Sequence, residues 1–171
     1  MIPFSNKKYN IIYADPPWRY TFSKSNSRLI ENQYQTMSTD DICNLPIKSI
    51  TAQNAVLYMW ATAPKLLEAI RVINAWGFNY KTHGIWDKEI IGMGYWFRGQ
   101  HELLTVSTKG NFSPPPSTMR ISSIMKEKRT RHSKKPDFIR DLIKNWFPDS
   151  ECIELFARQP TKGWDTWGNE L

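Results

Sequence analysis

Asp15-Pro16-Pro17-Trp18 follows directly on the apolar run Tyr9-Asn10-Ile11-Ile12-Tyr13-Ala14. A carboxylate, two stiff proline linkages and an aromatic plane therefore meet at the end of a predicted strand. Those parts suit chemistry on an exocyclic amino group of a nucleobase. Such an amine is a poor nucleophile, because its lone pair is delocalised into the ring. It reacts when two acceptors hold its N–H groups and turn the lone pair toward a methyl donor. Asp15 can be one acceptor. A carbonyl of Pro16 or Pro17 can be the other, because proline fixes φ and holds the backbone in place. The face of Trp18 can stack on a base drawn out of its helix. The same tetrapeptide also reads as a strand ending in a proline turn, since Asp-Pro commonly starts one. The rest of the chain decides.

The elements that position these residues alternate between strand and helix, which predicts an α/β fold with a largely parallel sheet. Strands are expected at Tyr9 to Ala14, Ala55 to Trp60, Tyr80 to Trp86, Glu102 to Thr108 and Cys152 to Phe156. Ser38 caps a short helix, with Asp41 in the capping-box position. Thr62 and Pro64 begin a second helix that buries Leu66, Leu67, Ile70 and Ile73 and ends at Gly77. A third runs from Pro136 to Trp146, with Phe138, Ile139, Leu142 and Ile143 as its apolar face. Two long connections, Arg19 to Met37 and Lys109 to Ser133, show neither period; loops of that length in a compact domain are usually lids or binding loops.

At 171 residues, with 40% hydrophobic and 23% charged residues, the chain reads as one soluble domain, 1–171, with a three-layer core. Eight tryptophans are many for this length, and several fall in predicted loops. The N-terminus has no basic segment followed by a long apolar stretch, and no apolar run reaches membrane-spanning length. Cys43 and Cys152 are far apart and the three histidines are scattered, so no metal site is expected. The expectation is a reduced, cytoplasmic protein.

Net charge is +7, and it is concentrated. Lys109, Arg120, Lys126, Lys128, Arg129, Arg131, Lys134 and Lys135 face Glu127 alone in one segment, which accounts for the whole excess. Such a run is either a solvated loop or the footprint of a polyanion, whose phosphates are neutralised one by one. Its place beside the proposed site favours nucleic acid.

Taken in order, the motifs resemble those of the N6-adenine methyltransferases of the mRNA adenosine methyltransferase family and their bacterial and phage relatives. The resemblance covers nearly the full length. It includes Asp15 to Trp18, Tyr34 with Thr36-Met37-Ser38, Leu57 to Trp60, and Gly84-Ile85-Trp86 with Lys88. It continues through Gly94-Tyr95-Trp96 with His101-Glu102, Lys109-Gly110-Asn111, His132 to Pro136, Glu154 to Arg158, and Trp164 with Gly168-Asn169.

That resemblance implies a Rossmann-like fold with circularly permuted motif order, S-adenosylmethionine as methyl donor, and no metal. Asp15, Pro16, Pro17 and Trp18 would be catalytic. Tyr34, Lys88, Trp96, Lys126, Lys128 and Arg129 would meet the substrate. Asp15, Lys109, Glu154, Phe156, Arg158, Asn169 and Glu170 would bind the cofactor. The implied activity is methylation of adenine N6 in DNA. RNA is the rival substrate, and a non-catalytic nucleic-acid-binding subunit is the rival role. A homo- or heterodimer in a bacterial or phage-infected cell is compatible with the resemblance. Two departures stand out: Arg158-Gln159-Pro160 replaces a Gly-x-Gly cofactor loop, and Glu170 stands where the mRNA enzymes carry Gln.

Overall fold

A computed structural model describes residues 6–20, 36–129 and 134–168. Its seven-stranded sheet uses β1 (Tyr9–Ala14), β2 (Thr51–Ala61), β3 (Asn79–Asp87), β4 (His101–Lys109), β5 (Ile124–Lys126), β6 (Cys152–Leu155) and β7 (Asp165–Trp167). The order across the sheet is β5-β3-β4-β2-β1-β6-β7. β1 pairs parallel with β2 and β6, β6 with β7, and β3 with β5. β4 runs antiparallel to both of its neighbours. The sheet is therefore mixed, and the turned strand carries His101 and Glu102 back to the end where β1 and β2 finish.

Period-two alternation along β1 divides the core into two layers. Ile12 and Ala14 join Leu57, Met59, Ile153 and the helices α1 (Thr39–Cys43) and α2 (Leu66–Ala75). Ile11 and Tyr13 join Val56, Tyr58, Trp60 and the helix α3 (Phe138–Trp146) on the other side. Ser38 caps α1 as its sequence predicts, accepting the Asp41 backbone N–H at 3.1 Å. Gly77, at φ 83°, ends α2.

α2 is rotated from the expected stripe. Ala69, Val72 and Ile73 are buried together with Trp76, whereas Leu67 is exposed. The indole of Trp76 donates to the Ile42 carbonyl at 2.9 Å, anchoring the helix on that face. Lys109 to Ser133 is also not structureless in its described part. Ser117–Met119 form a 3-10 turn and Ile124–Lys126 add β5 to the sheet edge.

Candidate active site

The parallel strands β1, β2 and β6 end at one edge of the sheet, where open α/β folds place their ligands. A cavity of about 480 Å³ opens there. Asp15, Pro16, Pro17 and Trp18 leave β1 directly into its wall. Trp60, Ala61, Thr62, Ala63 and Pro64 supply the wall from the end of β2.

The tetrapeptide is fixed by backbone hydrogen bonds. The Trp18 N–H donates to the Pro16 carbonyl at 2.8 Å, and the Met37 N–H donates to the Pro17 carbonyl at 2.9 Å. Each carbonyl keeps a second lone pair for another donor. Pro16 is buried and Pro17 half-buried, so the Pro17 oxygen is the easier one to reach.

A line of alternating charges crosses the cavity. The Lys135 ammonium lies 2.8 Å from Asp15 Oδ2 and 3.3 Å from Glu102 Oε2. Lys88 is 3.4 Å from Glu102 Oε1. Lys135 also lies 5.8 Å from the centre of the Trp60 ring, close enough for a cation–π contact. Burial pushes the Asp15 carboxyl above its usual range; the Lys135 charge opposes that push and Glu102 adds to it. Burial works to lower Lys135, but the carboxylates of Asp15 and Glu102 outweigh it and the ammonium is held charged. Two carboxylates and two ammoniums alternate there, and Asp15 Oδ1 lies outside the pair with Lys135.

The MT-A70 family model matches residues 9–170. This chain belongs to the MT-A70 family. It is 35% identical to the type II methyltransferase M.MunI of Mycoplasma sp, over 96% of this chain and 78% of that one. Identity is 30% to the N6-methyladenosine RNA methyltransferase MTA1 of Pyricularia oryzae, over 98% of this chain and 48% of that protein. It is also 30% to the human N(6)-adenosine-methyltransferase catalytic subunit METTL3, over 96% and 28%. The chain thus spans most of M.MunI but less than half of the Pyricularia MTA1 and human METTL3 proteins.

In this MT-A70 chain the cavity collects Asp15, Pro16, Pro17, Trp18, Lys88, Arg129 and Arg158 from the residues singled out by sequence. Trp18 takes a different part from the one expected. It is only 4% exposed, and its indole donates to the Trp60 carbonyl at 3.2 Å. It is a wall anchored in the core, not a free plate for one side of a base sandwich. Tyr20, whose hydroxyl bonds Thr62 Oγ1 at 2.7 Å, is a second aromatic on that wall.

Glu154 and Lys109, expected at the cofactor, do not line the cavity. The Glu154 carboxylate is 5% exposed and is gripped from both oxygens by Arg140, each contact 2.7 Å. It accepts a further bond from Thr161 at 3.4 Å. This is a bidentate pair between β6 and α3 that engages both carboxylate oxygens within the protein. Lys109 sits at the far end of β4, seven residues from Glu102, or roughly 23 Å along a strand. It pairs with Ala55, level with the start of β1, and so lies away from the cavity. Phe156 has φ 62° and packs edge-on against Trp167 at 5.6 Å. Its left-handed turn directs the chain so that Arg158 reaches the cavity, and Phe156 itself is not among the residues that line it. Trp96 stands outside the cavity on a neighbouring loop.

Lys126, Lys128 and Arg129 are exposed at and beyond the end of β5, and the Arg129 N–H donates to the Lys88 carbonyl at 3.2 Å. Lys135, counted with that basic run, belongs instead to the buried ion network. Tyr34, Asn169 and Glu170 lie outside the described residues, as do Arg131 and His132. Among the described residues no group of His, Cys, Asp and Glu is arranged to hold a metal ion. No helix among them is long and apolar enough to cross a membrane.

Sequence reasoning assigns no role to Lys135 or Glu102 in the catalytic cluster. The signal is present: Glu102 opens a predicted strand, and Lys135 directly precedes a proline that starts a helix. The buried Glu154–Arg140 pair carries a stability expectation too. Glu154→Ala should leave the Arg140 charge, buried beside the Tyr13 ring 5.3 Å away, with the exposed Asp137 carboxylate at 3.1 Å in place of its bidentate partner. Breaking such a pair costs about 3 kcal/mol, to be read from urea denaturation, with a smaller loss for Glu154→Gln.

Proposed function

We propose that this chain transfers a methyl group from S-adenosylmethionine to the N6 amine of adenine in DNA. The observation that carries the reading is the Asp15 carboxylate. It stands at the carboxyl end of β1, on the wall of the cavity, with one oxygen paired to Lys135 and the other outside that pair.

The lining fits the donor in its chemistry. Pro16, Pro17, Trp60, Ala61 and Pro64 give apolar surface. Arg158 offers positive charge suited to an amino-acid carboxylate, and Asp15 Oδ1, outside the pair with Lys135, offers negative charge suited to a sulfonium. When bound, S-adenosylmethionine supplies an electrophilic methyl carbon. Asn169 and Glu170 we assign to the ribose hydroxyls and Tyr34 to the base, on the family pattern alone.

The protein's part is positioning and proton handling. Asp15 accepts one N–H of the amine and the Pro17 carbonyl the other, which directs the nitrogen lone pair out of the base plane. As nitrogen becomes positive, Asp15 stabilises that charge and takes up the surplus proton. Lys135 opposes the burial that would neutralise the carboxylate. Trp18 and Tyr20 wall the base rather than sandwich it.

For DNA over RNA, support comes from the relatives. M.MunI, matched over 78% of its own length, bears a Type II designation, which we take as that of a DNA-modifying enzyme. The Pyricularia MTA1 and human METTL3 relatives have more than half of their length outside the match. The purified chain should therefore label duplex DNA from tritiated S-adenosylmethionine in preference to a matched RNA pool. Label on RNA alone would reverse the substrate assignment.

The exposed trio Lys126, Lys128 and Arg129 is assigned to backbone phosphates, which fix register without reading sequence. Replacing all three by Gln should weaken binding to unrelated DNA sequences alike. The slope of log affinity against log salt should fall by about 0.9 for each duplex phosphate no longer neutralised. An unaltered slope would make them a solvated edge.

A further inference from the structure

Between β3 and β4 the chain makes a loop that the catalytic cluster does not use. Tyr95, Trp96 and Phe97 are consecutive at its tip and are 89%, 95% and 90% exposed. Met93 and Ile91 beside them are exposed as well. Single exposed apolar residues need no explanation, but five within seven positions form a patch, and such patches mark binding sites.

The tip is held in shape. The Gly92 N–H donates to the Gly99 carbonyl at 2.8 Å, and the Gly99 N–H to the Met93 carbonyl at 3.2 Å. Arg98 Nε donates back to the Gly92 carbonyl at 2.9 Å. A Cβ on Gly94 would collide with the Phe97 carbonyl, so the turn closes as tightly as it does only with glycine there. The base of the loop forms part of the cavity: Gly92, Met93 and Gly99 line it together with Asp15.

Resting on the function proposed above, we propose that this loop is an aromatic wedge. Tyr95, Trp96 and Phe97 enter a DNA duplex beside the target adenine and fill the gap it leaves when it moves into the cavity. Three observations favour DNA over a protein partner. The patch is continuous with the rim of the cavity that receives the base. Two arginines flank it, Arg98 in the loop and the exposed Arg129, whose N–H bonds the Lys88 carbonyl. Its tip is a tight turn closed by its own hydrogen bonds, which suits a gap one base deep. Apolar side chains inserted between base steps unstack and kink duplexes in this way, and enzymes that act on a base must extrude it.

The test compares one unmethylated phage genomic DNA in its native duplex form and after heat denaturation. Tyr95→Ser, Trp96→Ser and Phe97→Ser are combined; all three side chains are exposed, so the variant keeps its core. Wild type is expected to methylate the duplex. In the variant, the ratio of duplex to denatured-strand transfer should fall by about tenfold, the scale of a single base–aromatic stack, and Trp96→Phe alone should largely preserve it. Random-sequence duplexes carrying 2-aminopurine should brighten on binding wild type and stay dim with the variant. An unchanged ratio would overturn the wedge while leaving the function standing. So would a change in sedimenting mass on substitution with transfer otherwise intact, because that marks a protein interface. Wild type that methylates neither form would overturn the functional reading and the wedge together.

Discussion

Asp15→Ala is expected to remove methyl transfer while leaving the protein folded. The amine would lose the acceptor that orients it and receives its proton, and a positioned proton-handling group is worth on the order of a hundredfold or more. The substitution does not strand the buried ammonium, because Lys135 keeps Glu102 at 3.3 Å as a counter-ion. Thermal unfolding should therefore move little, and calorimetry should still detect S-adenosylmethionine binding. Wild-type turnover by the purified variant would show that Asp15 has another role.

Lys135→Met is expected to have the second largest effect, and to show it in the pH profile. Burial already holds the Asp15 carboxyl above its ordinary value, against the pull of Lys135. Activity requires the ionised carboxylate, so it falls as pH drops through that raised value. Removing the ammonium takes away the main influence opposing burial, and the acid limb of kcat/KM should move to higher pH. The sign for stability is opposite. A carboxyl whose folded pKa is raised binds its proton more tightly folded than unfolded, so its ionisation costs stability as pH climbs above the ordinary carboxylate value. Lys135→Met should therefore unfold more readily at neutral pH than at pH 4, relative to wild type. An acid limb left in place would separate Lys135 from the chemistry.

The parts of this site that can be read from sequence are those encoded locally. Asp15 follows a six-residue apolar run whose alternation and Pro-Pro stop define both the strand and its end. Ser38 and Gly77 mark helix ends through side-chain and backbone rules that act within a few residues. The elements that sequence does not reveal are those set by distant partners. β5 and β7 have three residues each, too few for a period, and they exist because β3 and β6 offer open edges. Leu67 falls on the buried stripe by spacing alone, but the large Trp76 ring sets which face of α2 turns inward.

The same division explains the site residues. Nothing next to Lys135 in sequence distinguishes an ion-network lysine from a phosphate-binding one; the carboxylates that decide it are Asp15 and Glu102, far along the chain. Glu154 is claimed by Arg140 from the preceding helix. The one local sign is a charged residue adjoining Ile139 on a face otherwise apolar. Motif order puts Lys109 with the cofactor, but it carries no information about which end of an antiparallel strand that lysine occupies.

The central claim is that Asp15 activates an adenine N6 amine, and the identity of the methylated product tests it most directly. Duplex DNA treated with the wild-type chain and isotopically labelled S-adenosylmethionine would be digested to nucleosides and resolved by mass spectrometry, with Asp15→Ala run in parallel. The expected result is label in N6-methyldeoxyadenosine alone, and none with the variant. Label in N4-methyldeoxycytidine, or equal N6-methyldeoxyadenosine from Asp15→Ala, would contradict it.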